Sequence, residues 1–187
     1  MKTVIHMILT LTIIGVVAGG LLSFVSNWAD PLIAANKKAE TEKAIFLVNP
    51  EGKSYEAVAN VGFEIYKVFD ENKNVYGYSL ASEGNGFQGK IRMMIGLETD
   101  LNKIKSIEIL EQVETPGLGT RVTEDPFRKQ FNGLQTTPNV KWVKGIPPSN
   151  PNEIQTITGA TISSKAVVAI VNTGLEKARQ LKERGSL

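Results

Sequence analysis

The sequence predicts an α+β protein: a single N-terminal transmembrane helix, then one domain in which helices flank a mainly antiparallel sheet. Three observations carry this expectation. The run Val4–Val25, VIHMILTLTIIGVVAGGLLSFV, has no formal charge apart from a protonatable His6. Between residues 62 and 114, apolar residues alternate in short segments joined by polar connections too brief for parallel crossovers. The C-terminal stretch changes to helical spacing and ends at Gly185.

Each element has its own reason. Helical residues rise about 1.5 Å each, so Val4–Val25 matches the roughly 30 Å hydrocarbon core of a bilayer. A cleaved signal peptide would have a shorter apolar core and a small-x-small cleavage site, and SNWADPL lacks that signature. Trp28 fits an interfacial anchor. Residues 1–28 are therefore expected to be an uncleaved anchor, and 29–60 a juxtamembrane helix and linker. Leu32, Ala35, Ala39 and Phe46 share one helical face there, and NPEG at 49–52 breaks the helix. The domain proper is expected over 61–187. GFEIYKVFD (62–70) and NVYGYSLA (74–81), joined by ENK, predict a hairpin.

After the loop EGNGFQG (83–89), KIRMMIGLE keeps Ile91, Met93, Ile95 and Leu97 in period two. IKSIEILEQVE adds a strand with Ile107 and Ile109 on one face. EDPFRKQF (124–131) predicts a helix with Asp125 as N-cap, Pro126 at its first position and Gly133 past its end. NVKWVKG offers one more strand, and IPPSNPNE (146–153) a rigid loop. The last helix is expected from about Ser163 to Arg184, with Val167, Ile170, Gly174, Ala178 and Leu181 as its buried stripe.

Composition excludes several chemistries. Lys+Arg 21 against Asp+Glu 19 gives a net charge of +2 without a dense basic stripe, so nucleic acid is not an expected partner. Cysteine is absent, which removes disulfides, thiolate nucleophiles and Cys-ligated clusters. His6, the single histidine, stands in the apolar run, so His-ligated haem, His-based zinc and a Ser-His-Asp triad have no residues in the domain, and no metal is expected. Redox chemistry in this chain would need an organic cofactor.

Two stretches carry the chemistry that remains. In TITGATISSK (156–165), the hydroxyls of Thr156, Thr158, Thr161, Ser163 and Ser164 surround a bare Gly159-Ala160 at the mouth of the last helix. Small residues let a bulky group approach the backbone, and free N–H groups at a helix start favour an anion. Lys165 adds a countercharge. The pattern suits phosphate, and an over-decorated helix cap is the plainer reading. A Ser-x-x-Lys nucleophile is missing, since Ile162 stands three before Lys165. The second stretch is Glu114-Thr115-Pro116-Gly117-Leu118-Gly119 after a strand. It reads either as a tight turn or as a flat backbone bed for a planar ligand, with Thr115 at the polar edge.

In this order, behind an N-terminal span, these stretches resemble the G subunit of Rnf-type ion-translocating electron-transport complexes. They are similar too to the C subunit of Na⁺-translocating NADH:quinone oxidoreductase. The resemblance covers the anchor, the Gly-rich loop before KIRMMIGLE, ETPGLG and TGATISS. It implies that residues 61–187 form an FMN-binding domain and that FMN is attached by a phosphoester to Thr161, the last residue of Thr158-Gly159-Ala160-Thr161. Two positions depart from the family pattern. Gln155 replaces the usual Asp three before Thr158, and Gln112 stands where a histidine is common two before Glu114.

The resemblance further implies other subunits of a membrane electron-transport complex, a flavin transferase and membrane lipid as partners, and a single-pass place in the cytoplasmic membrane. It puts the domain on the extracytoplasmic side. Lys37, Lys38 and Lys43 after the span, against Lys2 before it, would by charge alone put it inside. The contrasting expectation is a membrane-anchored module that holds a phosphorylated ligand non-covalently or scaffolds a complex.

Overall fold

The computed structural model describes residues 2–187; Met1, the first residue of the expected anchor, lies outside the described residues. The chain forms two compact units, residues 1–40 and residues 41–187. The first is helical: α1 runs Lys2–Val48, and its residues up to Glu40 make up this unit. Among the described residues, α1 is the one helix long and apolar enough to cross a membrane, and none of its apolar stretch is buried.

The second unit is built on a five-stranded antiparallel meander, β1 (Ser54–Ala57), β2 (Ile65–Phe69), β3 (Val75–Asn85), β4 (Lys90–Leu97) and β5 (Ile104–Gln112), in that spatial order. Mainly antiparallel pairing and flanking helices agree with the α+β expectation. The expected hairpin is β2–β3, and its turn is tied by Asp70 Oδ1, which accepts from the N–H groups of Asn72 and Asn74 at 2.8 Å each. A register shift at Val68/Phe69 explains the uneven alternation of that strand.

Strand β4 is buried on both faces, which is why IRMMIGL reads as nearly continuous apolar sequence. Ile91, Met93, Ile95 and Leu97 face the core shared with the last helix, while Met94 belongs to a second cluster with Ala44, Ile45, Val48 and Val68. Of the apolar face expected after the span, Leu32, Ala35 and Ala39 are exposed and Phe46 is half-buried, and the buried residues of α1 are Thr41, Ala44, Ile45 and Val48. Those last turns fill the back of the sheet, passing so close to Gly96 that a Cβ there would overlap the Val48 carbonyl.

After β5, a 3₁₀ turn (Gly119–Thr123) leads to α2 (Asp125–Arg128) and a second 3₁₀ turn (Lys129–Phe131). The cap expected at Asp125 is instead Glu124, without a side-chain cap. The Asp125 carboxylate is taken up by Arg128 at 2.6 Å and Lys129 at 2.8 Å. Strand β6 (Lys141–Val143) pairs in parallel with β7 (Glu153–Gln155), a strand the sequence patterning did not mark. Glu153 stiffens their connection by accepting from the N–H groups of Ser149 (3.0 Å) and Asn150 (3.2 Å). The last helix, α3 (Thr161–Glu183), begins two residues earlier than expected and buries the whole expected stripe against the sheet. Close approach of α3 to β3 depends on Gly174, where a Cβ would stand 2.9 Å from Leu80 Cδ2. Ser82 Oγ donates to the Ile170 carbonyl across this contact at 3.1 Å.

Candidate functional site

The ETPGLG stretch and the start of α3 meet in one cavity of about 390 Å³. Its lining includes Thr115, Leu118 and Gly119 from the first and Thr158–Ser163 from the second, with Phe87 and Lys144. That volume lies in the range of small-molecule sites, roughly 300–1,000 Å³. A neighbouring cavity of about 520 Å³ shares Thr158 and is lined by Arg121, Gln130, Gln155 and Thr156 among others, but holds no residue of ETPGLG.

Glu114 is the pin of the smaller cavity. It is 3% exposed, and its carboxylate joins three separate pieces of chain. The Gln88 N–H donates to Oε1 at 2.9 Å, and the Ser163 hydroxyl donates to Oε2. Two glycines make room for it: a Cβ at Gly86 would overlap the carboxylate, and one at Gly119 would lie 2.8 Å from Oε2. Burial pushes the Glu114 pKa up, but the hydrogen bonds from Ser163 and the backbone of Gln88, Gly89 and Phe87 outweigh it. The net result is a carboxyl held below its ordinary value. Gln112 Oε1 accepts from the Glu114 N–H at 2.7 Å, and Thr115 Oγ1 donates to Gln88 Oε1 at 3.1 Å, so the bend is tied on both sides. Pro116 and Gly117 turn the chain outside the cavity lining, with Gly117 at φ +74° and its N–H donating to Thr120 Oγ1 at 3.0 Å.

The hydroxyl-rich stretch sorts into separate jobs. Ser164 is fully buried; its Oγ donates to the Ala160 carbonyl at 2.8 Å and accepts from the Ile157 N–H at 3.1 Å, closing the loop onto α3. Ser163 is held by Glu114, and Thr156 is buried with its hydroxyl unpaired among the described residues. Thr158 and Thr161 line the cavity. No side chain caps α3: its N-cap is Ala160, at φ −127°. The first helical bond runs from the Ser164 N–H to the Ala160 carbonyl at 2.9 Å, so the amides of Thr161, Ile162 and Ser163 belong to the open first turn. The plainer reading, hydroxyls as helix caps, therefore loses its support. Gly159 sits at φ +88°, and a Cβ there would stand 3.3 Å from Leu118 Cδ2, the point where the two stretches touch.

Lys165 does not line this cavity. Its Nζ lies 3.9 Å from the centroid of the Trp142 ring, a cation–π contact, and Lys144 is the cation among the lining residues. Gln155 lies on β7, its N–H donating to Gln130 Oε1 at 2.7 Å. Phe87, Lys144 and Ile162 line the cavity although no pattern in the sequence singled them out. A lone large aromatic inside the glycine-rich EGNGFQG was the available signal for Phe87.

Comparison with known proteins accords with this geometry. Residues 86–176, which span both stretches, match the FMN-binding domain family. The G subunit of the ion-translocating oxidoreductase complex of Methanosarcina acetivorans is 28% identical over 94% of this chain and 94% of its own length. The G subunit of the proton-translocating ferredoxin:NAD(+) oxidoreductase complex of Clostridium ljungdahlii is 31% identical over 89% of this chain and 87% of its own. The crystal structure of Shewanella oneidensis NqrC superposes with a TM-score of 0.58 at 25% identity, covering 75% of this chain and 73% of that one.

Proposed function

The chain belongs to the family of G subunits of Rnf-type ion-translocating oxidoreductase complexes, and from that premise we propose that it carries FMN joined by a phosphoester to Thr161 and passes electrons within such a complex. The observation that supports the site is the meeting of ETPGLG and TGATISS in one cavity, at a helix start without a side-chain cap. The lining fits the group. Gly159 and Gly119 leave backbone exposed where side chains would collide, the open turn of α3 favours the negative diester, and Phe87, Leu118 and Ile162 offer apolar surface to a ring. When bound, FMN supplies electron-transfer chemistry that a chain with no cysteine and a single membrane-segment histidine lacks.

Thr161 is the proposed acceptor because it is the first residue of α3 and lines the cavity, whereas Ser163 and Ser164 spend their hydroxyls on Glu114 and the loop. Of the other hydroxyls in the lining, Thr115 donates to Gln88 Oε1, and Thr158 is the remaining one in the TGATISS stretch. Lys144 takes the countercharge role expected of Lys165, whose ammonium is on Trp142. Attachment calls for a flavin transferase. Ion translocation belongs to the assembled complex, with other subunits and lipid as partners. The proposed arrangement is an anchor over 1–28, a juxtamembrane segment over 29–60 whose residues from Thr41 pack with the domain, and the FMN-binding domain over 61–187, on the extracytoplasmic side of the cytoplasmic membrane.

The test is the intact mass of the full-length chain co-expressed with a flavin transferase, followed by peptide mapping. An FMN-sized addition on the peptide containing Thr161, lost in Thr161→Ala, is expected. A chain that gains no flavin mass would favour non-covalent binding or a scaffold.

A further inference from the structure

Phe87 is a large aromatic side chain held out in solvent, 61% exposed, by a loop that has little freedom to hide it. The Gly86 N–H donates to the Gly89 carbonyl at 2.6 Å, which closes the loop on itself. The next residue, Gln88, is pinned through its N–H to the buried Glu114 carboxylate, and Gly86 is the residue that lets that carboxylate in. A ring exposed on so constrained a turn calls for a partner surface, because burying aromatic area is among the larger gains available to a side chain. The ring lines the same cavity as Leu118 and Gly119, on a chain segment separate from both. Thr115, in the ETPGLG bend, is tied to the same loop through Gln88 Oε1.

We propose that Phe87 is the aromatic face that positions the isoalloxazine ring of the cofactor, with Leu118 and the backbone at Gly119 as the remaining ring-end wall. This rests on the reading that the cavity holds FMN. Division of labour in the lining supports it. Thr158, Thr161 and the open turn of α3 form a polar end suited to phosphate, while Phe87 and Leu118 are the apolar side chains that the glycine-rich loop and the ETPGLG bend contribute. A planar ring system stacks on an aromatic side chain in a way that an aliphatic one of similar size cannot reproduce.

The experiment uses the full-length flavinylated chain and reads flavin fluorescence in the native protein relative to the same sample denatured, with flavin content taken from the intact mass. Trp and Tyr rings that touch a flavin quench its emission by giving an electron to the excited ring system, whereas Phe, Leu and Ala do not. Phe87→Trp and Phe87→Tyr should therefore each lower the native-to-denatured ratio below the wild-type value by about fivefold, the population ratio that an aromatic pair of ordinary strength sustains. Phe87→Leu should leave the ratio at the wild-type value. A ratio unchanged in both Phe87→Trp and Phe87→Tyr, at full flavin occupancy, would overturn the assignment. An equal fall in Phe87→Leu would show that the change does not come from ring contact and would overturn it too. Absence of any flavin mass in wild type would instead overturn the reading of the cavity on which this inference rests.

Discussion

Replacing Glu114 by Gln removes one charge from a group that is 3% exposed, with little change of shape. The carboxylate accepts from the Gln88 N–H and the Ser163 hydroxyl, on opposite oxygens. The amide can still accept on one side but must present an NH₂ where the other oxygen stood. Loss of about one charge-assisted hydrogen bond is expected, roughly 1.5–3 kcal/mol. At about 2–4 °C per kcal/mol for a chain of this size, the midpoint should fall by about 3–12 °C. The pH dependence gives the prediction its edge. Burial raises the Glu114 pKa, and the hydrogen bonds from Ser163 and the loop amides together lower it by more, so the folded value lies below the unfolded one, near 4.3. The stabilisation is therefore complete above that range and disappears as pH falls through the folded value. Thermal unfolding of the full-length chain in detergent, followed by tryptophan fluorescence at neutral pH and in acid, reads both. The gap between wild type and Glu114→Gln should be wide at neutral pH and close in acid. A gap that is absent at pH 7, or unchanged in acid, would show that the ionised carboxylate is not what ties these segments together.

Further outcomes are expected. Thr161→Ala should abolish the flavin mass addition, and Thr161→Ser, which keeps a hydroxyl, should retain a partial one; mapping the modified peptide in each variant checks this. Gly159→Val should destabilise the domain by about 1–2 kcal/mol through its left-handed backbone alone, with Leu118 also forced aside, and should lower flavin occupancy measured by intact mass. Burial lowers the Lys105 pKa to about 8, Glu98 and Glu51 only partly offsetting it, so the unfolded chain binds more protons between about pH 8 and 10.4. Stability should rise with pH across that window in wild type, and the rise should be missing in Lys105→Met, as read by denaturant titration. Protease added to spheroplasts should digest the region after Asp30; full protection until lysis would show that Lys37, Lys38 and Lys43 had set a cytoplasmic orientation.

Much of this fold was legible because local pattern and tertiary role coincide. The ENK turn, the period-two run of β4 and the stripe of α3 each state in sequence what they do in space. What stayed hidden depends on distant partners. β1 and β7 are four and three residues long, too short for a pattern, and exist because β2 and β6 offer edges to pair with. Arg92 reads as a surface residue in an apolar strand, yet it is 3% exposed and reaches Thr41 and Glu64 at 2.9 and 3.0 Å across the back of the sheet. At the site, the glycines and hydroxyls announced a ligand, but nothing local distinguishes Ser164, which closes a loop, from Thr161, which faces the cavity. Lys165 was a plausible countercharge until Trp142 from a distant strand took its ammonium.

The last turns of α1 determine where the chain can be cut. Ala44, Ile45 and Val48 are at most 1% exposed, and they cover Val68 and Met94 from behind. A soluble fragment that began at residue 61, as the sequence pattern invites, would discard both this cover and β1. It would leave Arg92 without Thr41 and bare an apolar sheet face, a loss of about 1.5–3 kcal/mol for each large side chain no longer buried. Starting at Thr41 removes the apolar segment while keeping every contact of the back cluster. The long apolar helix thus lends its end to the second unit, and a fragment that leaves the apolar segment behind must take residues 41–48 along.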